Sequence, residues 1–153
     1  TREKAMEIMR DSRIGTYGAA AIVCSIGLRW AALASLQPLQ GLTALVVAHA
    51  VSRALISPVL VSGHYARERG LASSVAGGVT PFEAFVAIAL AIAVAMTAGP
   101  VAGMIALAAG VLAAGAMLSI LLRRLGGYTG DGLGAIQQCA EIAVLCALAG
   151  ALV

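Results

Sequence analysis

Three polar stretches of the 153-residue chain carry groups that could bind and activate phosphate: DSRIGTYG at 11–18, HYARERG at 64–70 and GGYTGDGLGAIQQCAE at 126–141. The third makes the clearest physical case, because five of the nine residues from Gly126 to Gly134 are glycine. A glycine-rich turn opening a helix exposes backbone N–H groups around the positive end of the helix dipole, a cradle for phosphate. Asp131 in its midst is a hard oxygen donor of the kind that holds Mg²⁺, an ion that neutralises phosphate while keeping most of its water. The plainer reading is a flexible turn with Asp131 as N-cap of the last helix. Gln138 and Glu141, three apart, either extend the polar wall or are simple helix-start polarity.

The first stretch sets an acid, a base and three hydroxyls beside two glycines. Arg13, Arg67 and Arg69 serve equally as phosphate clamps or as contacts to lipid headgroups. Acids, arginines and glycine turns on one face would suit phosphoryl or nucleotidyl transfer, which runs on positioning and charge stabilisation. No Ser–His–Asp or Cys–His set is recognisable, and His64 reads as a loop histidine rather than a base. Cys24, Cys139 and Cys146 all lie in apolar runs, without zinc spacing or a disulfide framework, and read as small buried residues.

The elements that must position these groups are set by composition. The chain is 61% hydrophobic and 11% charged, and its mean hydropathy is +0.97, which excludes an ordinary soluble domain and intrinsic disorder. The ten Lys and Arg are scattered between apolar runs and form no basic stripe with interleaved aromatics, so nucleic acid is excluded as a partner. The fold class is all-α: a polytopic membrane helix bundle, one integral-membrane domain over 1–153. The length needed to cross a hydrocarbon core gives five spans, at roughly 14–36, 39–62, 82–98, 101–122 and 133–153. Residues 1–13 precede them as a cytoplasmic amphipathic helix, with Ala5, Met6, Ile8 and Met9 on its less polar face.

Gln37-Pro38 and Gly99-Pro100 make tight turns. The loop cations Arg67, Arg69, Arg123 and Arg124 share a side with Arg2, Lys4, Arg10 and Arg13, and the opposite loops hold no Lys or Arg. That asymmetry predicts the N-terminus inside and the C-terminus outside. Gly103, Gly110 and Gly115 among alanines signal close helix packing.

Two arginines fall inside spans. Arg29, beside Trp30 and near the outer end of the first span, is predicted to snorkel to the interface. His49, Arg53 and Ser57 recur at i, i+4 and i+8 on one helix face, as either an interhelical hydrogen-bond network or a cationic wall for an anionic substrate. Pro58 is predicted to kink this helix. A membrane transporter or channel with an Arg53/His49 pathway is the alternative function.

EKAMEIMRDSRIGTYG at 3–18 and GGYTGDGLGAIQQCAEI at 126–142 resemble two signatures of the cobalamin synthase (adenosylcobinamide-GDP ribazoletransferase) family, and SRALISPVL at 52–60 and YARERGL at 65–71 are similar too. The resemblance implies a bacterial inner-membrane enzyme with its active face cytoplasmic. It would join α-ribazole, or its 5′-phosphate, to adenosylcobinamide-GDP with Mg²⁺, releasing GMP. Its implied partners are those substrates and the lipid bilayer, with a homo-oligomer or a complex with other B12 enzymes as a further expectation.

Matching positions imply Asp11 and Asp131 as secondary metal or water ligands of the catalytic site, the principal Mg²⁺ site being an acidic motif further upstream in the family, and Arg13 and Arg67 as phosphate clamps. Gly127 and Gly130 would form the cradle, Tyr17, Thr129 and Glu141 would position substrate, and Arg53 would meet an anionic part of it. Members of the family carry an upstream acidic motif of the form DGLAD…DG that this sequence does not contain, so it reads as a C-terminal portion and leaves open whether this stretch acts alone.

Overall fold

The computed structural model describes residues 2–9, 11, 13–62 and 79–153. His64, Arg67, Arg69 and the rest of the second polar stretch lie outside the described residues. The described residues form seven helices: α1 (Arg2–Ile8), α2 (Thr16–Ala34), α3 (Pro38–Ala54), α4 (Ile56–Ser62), α5 (Pro81–Met96), α6 (Pro100–Leu125) and α7 (Gly130–Leu152). Among the described residues there is no β-strand. Among the described residues four stretches are long and apolar enough to cross a membrane: α2, α3 with α4, α6 and α7. The chain is a multi-pass membrane protein.

The fifth expected span corresponds to α5, whose 16 residues reach about 24 Å at 1.5 Å per residue. It is shorter than the roughly 20 residues that a span needs. The expected amphipathic helix also stops early. α1 ends at Ile8, where the Asp11 N–H closes a turn onto the Ile8 carbonyl at 3.1 Å. Ile8 is exposed, while Met9 packs on the bundle.

Helix boundaries follow the punctuation of the sequence. Pro38, Pro81 and Pro100 open α3, α5 and α6 in the first turn, where the missing N–H has no helical partner to lose. Gln37 with Gln40, and Thr80 with Glu83, close reciprocal capping boxes. Pro58 breaks the second span as predicted: α3 stops at Ala54, and the Ser57 hydroxyl donates to the Ala54 carbonyl that proline cannot serve.

Directions follow from these hairpins and from contacts across them. The Gln40 side chain reaches the Leu152 carbonyl at 3.1 Å and Ser52 meets Gln137 at 3.4 Å, so α3 runs antiparallel to α7. The short Ser35–Gln37 turn makes α2 antiparallel to α3, and therefore parallel to α7. Thr16, Ser62, Leu125 and Gly130 accordingly lie at one end of the bundle.

Two apolar clusters fill the interior. One joins Ala44, Val47, Ala48 and Val51 of α3 to Ala91 and Ala95 of α5, Ala106 of α6 and Val144, Leu145 and Leu148 of α7. The other, toward the Thr16 end, gathers Val59, Ala114, Leu121, Leu125, Tyr128, Ile136 and Ala140, with Met9 of the N-terminal segment against it. Alanine and glycine dominate the contacts because, in lipid, close backbone approach supplies what the hydrophobic effect does not.

A Cβ on Gly103 would stand 2.5 Å from the Ala95 carbonyl oxygen, whereas one on Gly115 would meet nothing within 4 Å. Gly103→Ala is therefore expected to destabilise by about 1–3 kcal/mol, the usual cost of overpacking, and Gly115→Ala to leave stability unchanged. Thermal denaturation of the two variants in detergent, followed by size exclusion, checks the contrast.

Candidate functional site

The glycine turn between α6 and α7 is held from inside. Gly126 ends α6 in the left-handed conformation, φ 73°, which glycine adopts without a Cβ penalty. Tyr128 and Thr129 are both buried, Tyr128 among the apolar residues of the second cluster. The Thr129 hydroxyl accepts the Gly132 N–H at 3.0 Å and is the N-cap of α7. The cap expected of Asp131 thus belongs to Thr129, and Asp131 sits exposed in the first turn of the helix. A negative charge there complements the helix dipole. Gly127 is buried in the turn and Gly130 faces outward.

Asp11 and Arg13 lie at the same end of the bundle, just before α2. They pair with each other: Arg13 donates from Nε and Nη2 to the Asp11 carboxylate at 2.9–3.2 Å, and its backbone N–H adds a bond of 3.0 Å. These bonds hold the Asp11 carboxyl below the usual carboxylate range and raise Arg13. Tyr17, in the first turn of α2, is 94% exposed.

Glu141 and Arg53 are elsewhere. Glu141 stands eleven residues into α7, about 16 Å from Gly130 along the axis, and its side chain is only 9% exposed. Its carboxylate is divided between two neighbouring helices. Oε1 accepts from Arg29 Nε at 3.1 Å and Nη2 at 3.0 Å. Oε2 meets His49 Nδ1 at 3.0 Å, lies 3.8 Å from Arg53 Nη1 and accepts from the Gln137 amide within α7. Arg29 Nη2 also donates to Gln138 Oε1 at 2.6 Å, and Nη1 turns back to the Ser25 carbonyl and hydroxyl.

The expected snorkelling of Arg29 is thereby corrected. Helical side chains lean toward the N-terminus of their own helix, which for α2 means away from its Ala34 end and toward Glu141. His49 does take part in an interhelical network, as one of the two readings of its stripe held. Ser57 does not, because the break before α4 turns it to the Ala54 carbonyl. Ser52 was not singled out from the sequence, yet it is fully buried and receives the Gln137 amide. Arg53 is 60% exposed at its side chain and donates to the His49 carbonyl at 3.3 Å.

The site residues read from the sequence therefore divide into two levels. Asp11, Arg13, Tyr17, Gly127, Thr129, Gly130 and Asp131 gather at one end, and Glu141 lies further along the bundle, buried, with the exposed Arg53 beside it. Arg29 and Gln137 carry much of the deep network, and only the presence of charge in an apolar run could have flagged Arg29.

Residues 1–149 match the cobalamin-5-phosphate synthase family. Similar proteins named adenosylcobinamide-GDP ribazoletransferase occur in Bradyrhizobium diazoefficiens, with 41% identity over 95% of this chain and 56% of the relative. That of Rhizobium etli is 42% identical over 99% of this chain and 62% of the relative. That of Rhizobium meliloti is 43% identical over 97% and 60%. The chain thus spans about three fifths of the length of these curated relatives, and the matches do not favour the transporter alternative. No solved structure matches it significantly.

Removing the carboxylate of Glu141 leaves basic groups facing each other without their anion, and breaking a buried pair costs about 3–5 kcal/mol. Glu141→Ala should lower the thermal midpoint in detergent well below that of Glu141→Gln, which keeps an acceptor for Arg29. Equal midpoints for the two variants and the unsubstituted protein would show that the carboxylate does not hold the helices.

Proposed function

This chain belongs to the cobalamin-5-phosphate synthase family, and from that premise we propose that it is part of an enzyme transferring adenosylcobinamide phosphate from adenosylcobinamide-GDP to α-ribazole or its 5′-phosphate. In the reaction a ribose hydroxyl oxygen bonds to the cobinamide-linked phosphorus. The bond from that phosphorus to the bridging oxygen breaks, and GMP departs with the electron pair. The hydroxyl proton passes to solvent. The observation that carries the reading is the common end of the bundle at which the Asp11–Arg13 segment and the Gly127–Asp131 turn emerge, on a chain of this family.

The residues then divide the work. Arg13 and Arg67 clamp the diphosphate. The Gly127–Gly130 backbone cradles it, with the Thr129 cap keeping the turn in shape. Tyr17 offers an exposed ring and hydroxyl to the nucleoside. Arg53, whose guanidinium is only partly engaged, meets an anionic part of the substrate deeper in the bundle, and Glu141 holds the orientation of that basic group.

The donor set suits Mg²⁺, which takes one or two carboxylates and completes its octahedron with phosphate and water. Among the described residues no group of three or more His, Cys, Asp or Glu is placed to hold a metal ion. Asp11 and Asp131, at the same end of the bundle, are the carboxylates that would hold it. When bound, the ion offsets the negative charge of the diphosphate. The protein resides in the bacterial inner membrane with this face toward the cytoplasm, as a homo-oligomer or beside other enzymes of the same synthesis.

Full-length protein in liposomes, supplied with adenosylcobinamide-GDP, α-ribazole and Mg²⁺, should release GMP and form the cobamide. Asp131→Asn should cut turnover by about 10²–10³-fold, the usual loss of one charge-stabilising group. Undiminished turnover in that variant would remove Asp131 from the site.

A further inference from the structure

α2 is loosely enclosed by the described bundle. Ala32 is its one buried residue, and Ile22, Val23, Ile26, Leu28 and Trp30 are all exposed. In a bilayer such side chains are as well solvated by lipid as by another helix, so apolar contact fixes little of how far α2 slides along its neighbour. Among the described residues, every side-chain hydrogen bond from α2 to another helix comes from Arg29, and all of them go to α7, at Gln138 and Glu141. The acceptor is itself fixed: His49 and Gln137 hold the other oxygen of Glu141, which leaves Oε1 for α2.

Because α2 and α7 are parallel, this fork also sets the relative height of their first turns. Arg29 is thirteen residues from Thr16, about 20 Å, and Glu141 is eleven from Gly130, about 16 Å. Arg29 leans back toward its own N-terminus to make the contact, which takes up part of the difference. A slip of one helical turn would displace the start of α2 by about 5 Å.

We infer that Arg29 is a positioning residue for the transferase reaction, pinning α2 at the register along α7 that stands the Asp11–Tyr17 segment level with the Gly127–Asp131 turn. The inference rests on the proposed reading that these two segments share a site. Arg29 acts from about 20 Å away and touches no substrate. Its planar guanidinium reaches two acceptors at once, whereas a lysine at the same place supplies charge without the fork.

The experiment uses full-length protein in nanodiscs, with Cys24, Cys139 and Cys146 replaced by alanine and spin labels on Gly15→Cys and Gly134→Cys. A Cβ at either glycine meets nothing within 4 Å. Pulsed electron–electron resonance should give one narrow distance distribution with Arg29. It should broaden or shift by up to about 5 Å, one turn, in Arg29→Gln, with Arg29→Lys closer to the native distribution. In unlabelled protein Arg29→Gln should lower kcat/KM by about 100-fold, the scale of an ångström-level misplacement. The loss should fall mainly in kcat, with partial recovery in Arg29→Lys.

An unchanged distribution in Arg29→Gln overturns the inference whatever turnover does. A shifted distribution with full turnover overturns it too, since the register of α2 would then be irrelevant to the reaction. Absence of transferase turnover in the unsubstituted protein would instead overturn the proposed reaction, and the distance arm would still decide the pin.

Discussion

One carboxylate within the bundle ties three helices together. Glu141 gives one oxygen to Arg29 of α2 and the other to His49 of α3, with Arg53 close by and Gln137 beside it on α7. A charge at such depth costs about 2.5–3.5 kcal/mol on insertion scales when it stands alone. Grouping the charges removes most of the reason for any of them to seek the interface. The grouping also has direction: it fixes which face of α7 looks toward α2 and which toward α3, something that alanine-rich surfaces specify poorly.

The two ends of the bundle are built differently. At the Ser35–Gln37 and Thr97–Gly99 turns the chain reverses in a few residues, with proline opening the next helix. At the opposite end the turn after α6 is held by a left-handed glycine, a buried tyrosine and a threonine cap. Tyr128 is buried in the apolar cluster shared by Val59 of α4, Leu121 and Leu125 of α6 and Ile136 of α7, while Gly130 and Asp131 are exposed. Buried support behind the exposed Gly130 and Asp131 suits a phosphate cradle, because preorganised N–H groups spend nothing on reordering.

Much of this was legible in the residues. Long apolar runs located the helices, Gln37-Pro38 and Gly99-Pro100 located the reversals, and Pro58 located the break between α3 and α4. What the pattern could not give was azimuth and pairing. Depth along a helix can be counted, but the side toward which Arg29 leans is decided by packing, and its partner lies more than a hundred residues away in the chain. Glu141 was grouped with the glycine turn because it follows that turn in sequence; eleven residues of helix carry it to the middle of the bundle. Thr129 and Asp131 compete for the same cap, and the burial of Thr129 behind Tyr128 settles the competition. The charged N-terminal run reads as helix through residue 13, whereas α1 ends at Ile8, where the backbone turns.

The sharing of Glu141, the parallel course of α2 and α7 and the functional reading all require the segments before α2 and α7 to emerge on one side of the bilayer. The most direct measurement is labelling of single cysteines with a membrane-impermeant maleimide in sealed vesicles of known orientation, at positions 13 and 131 and, for contrast, 35 and 98. Labelling of 13 and 131 from the cytoplasmic side, with 35 and 98 from the other, is the result predicted. Labelling of 13 and 131 from opposite sides would contradict the account at its root.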